Sequence, residues 1–267
     1  MASRPTPHAD KTYILTGGCS GIGLAILNLL LSQYATVHVL DISSTPPQIP
    51  PHLPQQNVHF YPNTDVSSRP SVHNAFMQIL TITPTIDGLI NNAGIANLPP
   101  ASGIESDESF DRTMDVNVRG VWNMGTEYLS HILPTPDPSS GLDTDNRGPT
   151  EGKGVIVNIA STASLHPSLG FLSYTVSKHA VLGMTRAWAM NFAPRGVRVN
   201  CVAPGGTETP LVNGLLDEKE KESYASQVPM GRWARPEEIA NAVGFLLGRE
   251  SSFMTGQVVV VDGGRHL

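Results

Sequence analysis

Thr16-Gly17-Gly18-Cys19-Ser20-Gly21-Ile22-Gly23 is a glycine-rich run between a strand candidate, Thr12–Thr16, and an apolar-periodic helix candidate from Ile22 to about Leu31. Strand, glycine turn and helix in this order are the context of a dinucleotide-binding fingerprint. The glycines allow a tight turn and a close approach to a pyrophosphate, whose charge is met by the helix N-terminus. The run therefore predicts a dinucleotide site; the alternative is an ordinary glycine turn.

The next strand candidate, 37–40, ends in Asp41, about 20 residues beyond the glycine run as the fingerprint expects. A carboxylate at this position accepts hydrogen bonds from both ribose hydroxyls of the adenosine half and repels a 2′-phosphate. No Arg or Lys occurs between Lys11 and Arg69 to bind such a phosphate. Asp41 therefore predicts NAD rather than NADP; the alternative is a solvated turn residue at a strand end.

A candidate base lies further along, where Tyr174 and Lys178 are four residues apart and share one helical face. An ammonium beside a phenol favours the phenolate. A free tyrosine titrates near ~10, so a base near neutrality needs its pKa lowered by about 3 units, or roughly 4 kcal/mol. Ser161 ends an apolar strand-like run thirteen residues before Tyr174. Such a Tyr and Lys pair also occurs by chance in many proteins of this size.

Strand candidates alternate with helical patterns along the chain, which predicts an α/β fold with a parallel sheet covered on both faces. We expect one Rossmann-type doubly wound sheet of about seven strands, near 12–16, 37–40, 58–61, 88–91, 155–159, 197–201 and 258–261. Residues 1–10 are predicted to be a flexible extension of a single domain, 11–267. Five prolines between Ser43 and Gln56 exclude a regular helix there. Residues 134–153 are predicted to be a mobile surface loop insertion; the alternative is a contact role in oligomerisation.

Composition excludes several classes of protein. The formal charge of -6 and the pI near 5.8 give no basic face for nucleic acid. Residues 1–11 lack the apolar core of a signal peptide, and no apolar run approaches the length of a membrane span, so we expect a cytoplasmic protein without a membrane partner. The two cysteines, Cys19 and Cys201, predict no disulfide framework and no metal site.

Motifs from about Lys11 to Gly264 resemble those of the short-chain dehydrogenase/reductase family, the single-domain group of about 250 residues. Each occurs in the family's order: Thr16 to Gly23, Asn91-Asn92-Ala93-Gly94, Asn117, Ser161, Tyr174 with Lys178, and Pro204-Gly205 with Thr207 and Thr209. The resemblance implies an NAD(H)-dependent enzyme acting on a CH-OH group. The family usually has a helix where this chain has its proline-rich crossover.

The resemblance also implies roles for four residues. Tyr174 is expected to take the hydroxyl proton of a secondary alcohol, or to return it in the reductive direction. Lys178 is expected to lower the pKa of Tyr174 and to hydrogen-bond the nicotinamide ribose. Ser161 would hold the reacting oxygen. Asn117 would anchor a water that passes the proton to solvent; its alternative role is that of an ordinary helix-interior asparagine.

Cofactor contacts implied by the resemblance surround the same site. The Ile22 amide and the Ser20 hydroxyl are expected at the pyrophosphate, and Asp65 and Val66 at the adenine. The full expected set is Gly17, Ser20, Gly21, Ile22, Gly23, Asp41, Asp65, Val66, Asn92, Ala93, Gly94, Tyr174, Lys178, Pro204, Gly205, Thr207 and Thr209.

A segment at 205–233 matches the family's substrate lid, with Met230 and Trp233 near its end. Apolar residues here and near the crevice suggest a bulky, largely uncharged alcohol or ketone, such as a terpenoid, steroid-like or polyketide secondary metabolite. The expected substrate contacts are Ile95, Leu98, Leu169, Phe171, Leu211 and Leu215. The alternative is that these side chains only pack the lid onto the domain. His166 either lines this pocket or is an exposed loop residue.

The helix that carries Tyr174 is apolar on more than one face, which is typical of a buried helix. Dimers and tetramers are common in the family that the chain resembles, so we expect a homodimer or homotetramer. Two other functions stay open: a β-ketoacyl-thioester reductase, and a catalytically silent dinucleotide-binding regulatory protein.

Overall fold

The computed structural model of the chain describes residues 6–98, 102–133 and 152–266. Within these ranges seven parallel strands form one sheet in the order β3-β2-β1-β4-β5-β6-β7. Because the order reverses between β1 and β4, a crevice opens at the carboxyl ends of these two strands. The strands β1 to β7 are Thr12–Thr16, Thr36–Leu40, Val58–Tyr61, Gly88–Asn91, Gly154–Ile159, Val197–Pro204 and Val258–Val261.

Helices cover both faces of the sheet, as the alternating pattern predicts. Their bounds, α1 to α8, are Gly21–Ser32, Arg69–Ile82, Asp107–Met114, Gly120–Ile132, Leu172–Phe192, Pro210–Asn213, Glu218–Ala225 and Pro236–Leu247. Neighbouring residues of β1 point to opposite faces, so Ile14 packs with α2, α4 and α5 while Leu15 packs with α1 and α8. The central strands are buried on both sides, which explains their continuous apolar runs.

The proline-rich crossover contains no α-helix between β2 and β3. Only a single 3₁₀ turn, Gln55–Asn57, precedes β3. Ile49 and Leu53 nevertheless pack against the α1 side of the core, so the segment is anchored at two points. Most of the predicted 134–153 insertion, residues 134–151, lies outside the described residues.

The N-terminal segment differs from its prediction. Residues 6–10, assigned to a flexible extension, pack against the domain: His8 is only 2% exposed. Its Nδ1 lies 2.9 Å from the Tyr13 hydroxyl, and its Nε2 lies 3.1 Å from the Gly244 oxygen. The predicted extension therefore does not cover residues 6–10; residues 1–5 lie outside the described ranges. No helix among the described residues has the length and apolar character needed to cross a bilayer.

Candidate active site

The glycine run forms a tight loop between β1 and α1. Gly17 and Gly21 have φ values of +67° and +53°, which favour glycine. A Cβ on Gly23 would collide with the Gly17 backbone oxygen, and one on Gly17 would lie 2.9 Å from Ala93 Cα. The Ser20 hydroxyl does not cap α1, so it is available to a ligand at the helix N-terminus. This glycine cradle, with free amides at its helix, fits a dinucleotide pyrophosphate.

Asp41 lies directly after β2 and accepts hydrogen bonds from the glycine loop and from the segment that follows β2. Its Oδ2 accepts from the Cys19 N–H and its Oδ1 from the Ser43 N–H, both at 2.9 Å. Each oxygen keeps a second lone pair, so the carboxylate can also accept from ribose hydroxyls. Burial, with the Asp41 charge second, raises the pKa of the Cys19 thiol to about 12, so this thiol is not reactive at neutral pH.

A single cleft of about 370 Å³ runs from Asp41 to Tyr174 and Lys178. All of the residues predicted to bind the cofactor line this cleft. Thr209 closes one side, because its Cγ2 would lie 3.2 Å from a Cβ on Gly21. The structure thus brings together the glycine loop and the candidate base, which are more than 140 residues apart in the sequence.

Lys178 is buried below the Tyr174 ring on α5. Its Nζ donates to the Ile159 backbone oxygen at 2.8 Å and lies 5.5 Å from the centre of the Tyr174 ring. Burial lowers the pKa of Lys178 to about 8, and nearby Cys201 acts in the opposite direction.

The pKa of Tyr174 is shifted in the direction opposite to the lowering by Lys178 that the sequence predicts. Burial raises the pKa of the Tyr174 phenol, and the adjacent Ser161 hydroxyl opposes this rise. The physical reason is that the loss of solvation of the buried phenolate dominates, while the Lys178 ammonium is directed at the Ile159 oxygen.

Ser161 follows β5 by two residues and caps a 3₁₀ turn, Thr162–Ser164. Its Oγ accepts from the Ala163 N–H at 3.1 Å, which fixes the rotamer while leaving the hydroxyl proton free to donate. Ser164 Oγ donates to the Lys178 backbone oxygen at 2.8 Å, so the serine turn and α5 are joined.

Asn117 lies in a π-helical turn, Asp115–Arg119, between α3 and α4. Its Oδ1 accepts from the Ile95 N–H, and its Nδ2 donates to the Ile95 oxygen and to Ser177 Oγ. The side chain is fully buried and does not line the cleft. Its amide is therefore occupied in joining the loop after β4 to α5, and its predicted anchoring of a water stays a prediction.

Only two of the predicted substrate contacts, Ile95 and Leu211, line the cleft. Phe171 packs its ring edge against Tyr174, with 6.1 Å between the ring centres. Leu98, Leu169 and Leu215 lie outside the cleft, and Leu169 is fully exposed. The structure therefore does not bring Leu98, Leu169 and Leu215 to the cleft, and the substrate role of all six residues stays a prediction.

The predicted lid contains α6 and α7, and Asp217 caps α7 through a capping box with Glu220. Trp233 is buried against Tyr224 at 4.4 Å between ring centres and donates to the Lys221 oxygen. Met230 is 63% exposed. Trp233 thus anchors α7. His166 is exposed and stacks on His266 at 4.8 Å, so it is a loop residue and does not line the cleft.

Sequence reasoning missed Arg112 of α3, an exposed cation that also lines the cleft. No local motif marks Arg112, because it lies far from the glycine run in the sequence and reaches the cleft only through the fold. Other apolar lining residues that the sequence did not predict are Leu40, Ile42, Val116, Ile159, Ala160, Pro210 and Val212.

The fold and the cleft define a protein that binds a nicotinamide dinucleotide, and the comparisons with known proteins agree. Residues 17–266 match a family model described as enoyl-(acyl carrier protein) reductase. The chain therefore belongs to the short-chain dehydrogenase/reductase family of oxidoreductases.

Curated relatives match almost the whole chain. Cyclopentanol dehydrogenase from Comamonas sp. is 34% identical over 96% of this chain and 96% of its own. The 3-oxoacyl-(acyl-carrier-protein) reductase of Thermotoga maritima is 32% identical, over 95% of this chain and 97% of its own. Among solved structures, 3-ketoacyl-(acyl-carrier-protein) reductase from Brucella melitensis complexed with NADH has a TM-score of 0.83 and 29% identity, covering 97% of this chain and 99% of its own.

Proposed function

We propose that this chain is an NAD-dependent oxidoreductase that interconverts a secondary alcohol and a ketone, with Tyr174 as the acid/base. The observation that carries the proposal is one cleft that holds Tyr174 and Lys178 beside the glycine loop and Asp41. A nicotinamide dinucleotide, when bound, supplies the hydride acceptor or donor. The similarity to cyclopentanol dehydrogenase supports an alcohol as the substrate.

Each side chain has a role that its contacts allow. Tyr174 takes the substrate hydroxyl proton during oxidation and returns it during reduction. Ser161 holds the reacting oxygen with the hydroxyl proton that its bond to Ala163 leaves free. The Lys178 ammonium lies one helical turn below the phenol and favours the phenolate when charged.

The preference for NAD rests on Asp41. Its carboxylate repels a 2′-phosphate, and its remaining lone pairs suit two ribose hydroxyls. Arg112 is the opposing feature, since it lines the same cleft and could attract phosphate. Direct binding of NADH and NADPH by calorimetry tests this assignment. We expect NADH to bind at least about 10-fold more tightly; equal or tighter binding of NADPH would remove the role of Asp41.

We propose a bulky, largely apolar alcohol as the substrate, of the terpenoid, steroid-like or polyketide type. Ile95 and Leu211 supply apolar surface to the cleft. A second candidate is a β-ketoacyl thioester, favoured by the similarity to the two acyl-carrier-protein reductases. The Brucella protein is complexed with NADH, so nucleotide preference alone does not separate the two candidates.

A substrate panel separates them. Cyclic and polycyclic secondary alcohols and β-ketoacyl thioesters are assayed at 340 nm with NAD(H) and with NADP(H). We expect turnover of apolar alcohols with NAD and none of thioesters. Turnover of thioesters alone supports the second candidate. Tight dinucleotide binding without any turnover supports the silent regulatory protein, a third candidate that the complete set of active-site residues disfavours.

A homodimer or homotetramer is proposed as the working assembly. Large apolar side chains are exposed along α4 and α5, with Trp122 44%, Val176 49% and Met190 82% exposed. Such side chains on two neighbouring helices are typical of a surface that a second copy covers. Light scattering after size exclusion tests this, and a monomer at micromolar concentration would contradict it.

A further inference from the structure

The helix that carries Tyr174 begins without a cap of its own. The residue before α5, Phe171, has no side-chain oxygen to accept from the first free amides. Tyr174 is the third residue of α5, so it lies in the turn that is most prone to fraying without a cap.

A carboxylate from a distant segment of the chain acts as the N-terminal cap of α5. Glu105 Oε2 accepts from the Ser173 N–H at 2.9 Å, and its Oε1 accepts from Ser173 Oγ at 2.5 Å. Oε1 also accepts from Ser109 Oγ in α3 at 2.8 Å. Ser173 is 2% exposed and directly precedes Tyr174. One carboxylate thus joins the first turns of α3 and α5 across 68 residues of sequence.

The charge of Glu105 suits this place. A negative group at a helix N-terminus interacts favourably with the helix dipole, and Glu105 lies at two such ends. Burial raises the pKa of Glu105, but its hydrogen bonds to Ser173 and Ser109 outweigh this and hold the pKa below its ordinary value. The carboxylate is therefore ionised at neutral pH, as an acceptor of three hydrogen bonds must be.

We propose that Glu105 is a positioning residue for the reaction: it caps the catalytic helix from outside and holds Tyr174 at its place beside Ser161. The inference rests on the proposed role of Tyr174. A phenol that must meet a substrate oxygen tolerates little displacement, since an error of about 1 Å costs on the order of 100-fold in rate. Loosening the first turn of α5 therefore lowers kcat, while the distant glycine loop keeps its affinity for the dinucleotide.

Three variants test the cap. Glu105→Ala removes it, and Glu105→Gln keeps an oxygen that can accept from the Ser173 N–H. Glu108→Ala is the matched control, because Glu108 is an exposed acid in the first turn of α3. Hydrogen exchange of the peptide covering residues 171–177, dinucleotide Kd, and kcat on the best panel substrate are measured for each.

We expect Glu105→Ala to exchange the 171–177 peptide faster and to lose about 10-fold or more in kcat, with Kd for NADH within about 2-fold of wild type. Glu105→Gln should recover most of kcat, and Glu108→Ala should match wild type throughout. Unchanged exchange and kcat in Glu105→Ala would overturn the proposal. So would a kcat loss accompanied by an equal loss of NADH affinity, because that pattern indicates general unfolding. The exchange result needs no substrate, so it separates failure of the cap from failure of the proposed function.

Discussion

Lys178 lies one helical turn below Tyr174, with its Nζ 5.5 Å from the centre of the Tyr174 ring and bonded to the Ile159 oxygen. Burial lowers the pKa of Lys178 to about 8 from 10.5. The folded state therefore disfavours the charged form. The buried lysine therefore lowers the free energy of unfolding. This loss of stability is zero above pH 10.5, accumulates as pH falls from 10.5 to about 8, and is fully present at neutral pH.

Replacing Lys178 by Met should abolish turnover and raise stability at pH 7. The shift corresponds to about 3 kcal/mol of relief, reduced by about 1–2 kcal/mol for the lost bond to Ile159. Thermal unfolding at pH 7 and pH 10.5 measures the effect, which should shrink at the higher pH. Lys219→Met, at an exposed lysine, is the control. A variant less stable than wild type at pH 7 would contradict this account of the buried ammonium.

Replacing Gly23 by Ala should break the dinucleotide cradle. The added Cβ would collide with the Gly17 oxygen and lie 2.6 Å from Asn92 Nδ2. We expect a loss of at least about 10-fold in NADH affinity and a lower melting temperature. Gly183→Ala is the matched control in α5, where nothing lies within 4 Å of the added atom. That variant should gain up to about 1 kcal/mol in stability and bind NADH normally. Normal binding by Gly23→Ala would refute the role of the cradle.

His38 should make the domain sensitive to mild acid. It is fully buried between the Tyr61 hydroxyl and Thr83 Oγ1 and stacks on His59. Burial, with His59 second, lowers the pKa of His38 to about 4. Because the unfolded chain binds this proton near pH 6.5 and the folded chain does not, stability is lost as pH falls from 6.5 to about 4.

The expected loss from this one group is about 3 kcal/mol. Unfolding free energies in urea between pH 4 and 7.5 measure it, and His38→Gln should flatten the dependence. His52→Gln, at an exposed histidine of the crossover, should not. An identical pH dependence in wild type and His38→Gln would show that His38 carries no such cost.

The sheet was predictable because each strand is a short apolar run that the sequence delimits with turn residues. Four of the seven strands of the described residues have the predicted bounds, among them β4 and β7. β6 is three residues longer than predicted. Proline commonly ends a strand, so Pro204 indicated an earlier end in the sequence. In the sheet it is the last residue of the strand and pairs with Val261, a position that needs no further N–H from it.

The site was predictable where a motif is local and unpredictable where a contact joins distant segments. The glycine loop, Asp41 and the Tyr174–Lys178 spacing are each visible within a few residues of sequence. The cap of Glu105 on Ser173 and the burial of His8 under Gly244 depend on tertiary packing over 68 and 236 residues. The state of Lys178 was also unpredictable, because its pKa depends on burial and on the Ile159 oxygen.

Turnover by Tyr174→Phe is the most direct test of the central claim that Tyr174 is the acid/base. The variant removes one oxygen and leaves the ring in place, and Tyr34→Phe at a 63% exposed tyrosine is its control. We predict that kcat falls by about 10²- to 10⁴-fold, with NADH affinity within about 2-fold of wild type and full activity in the control. A Tyr174→Phe enzyme that keeps kcat within about 10-fold of wild type would contradict the account.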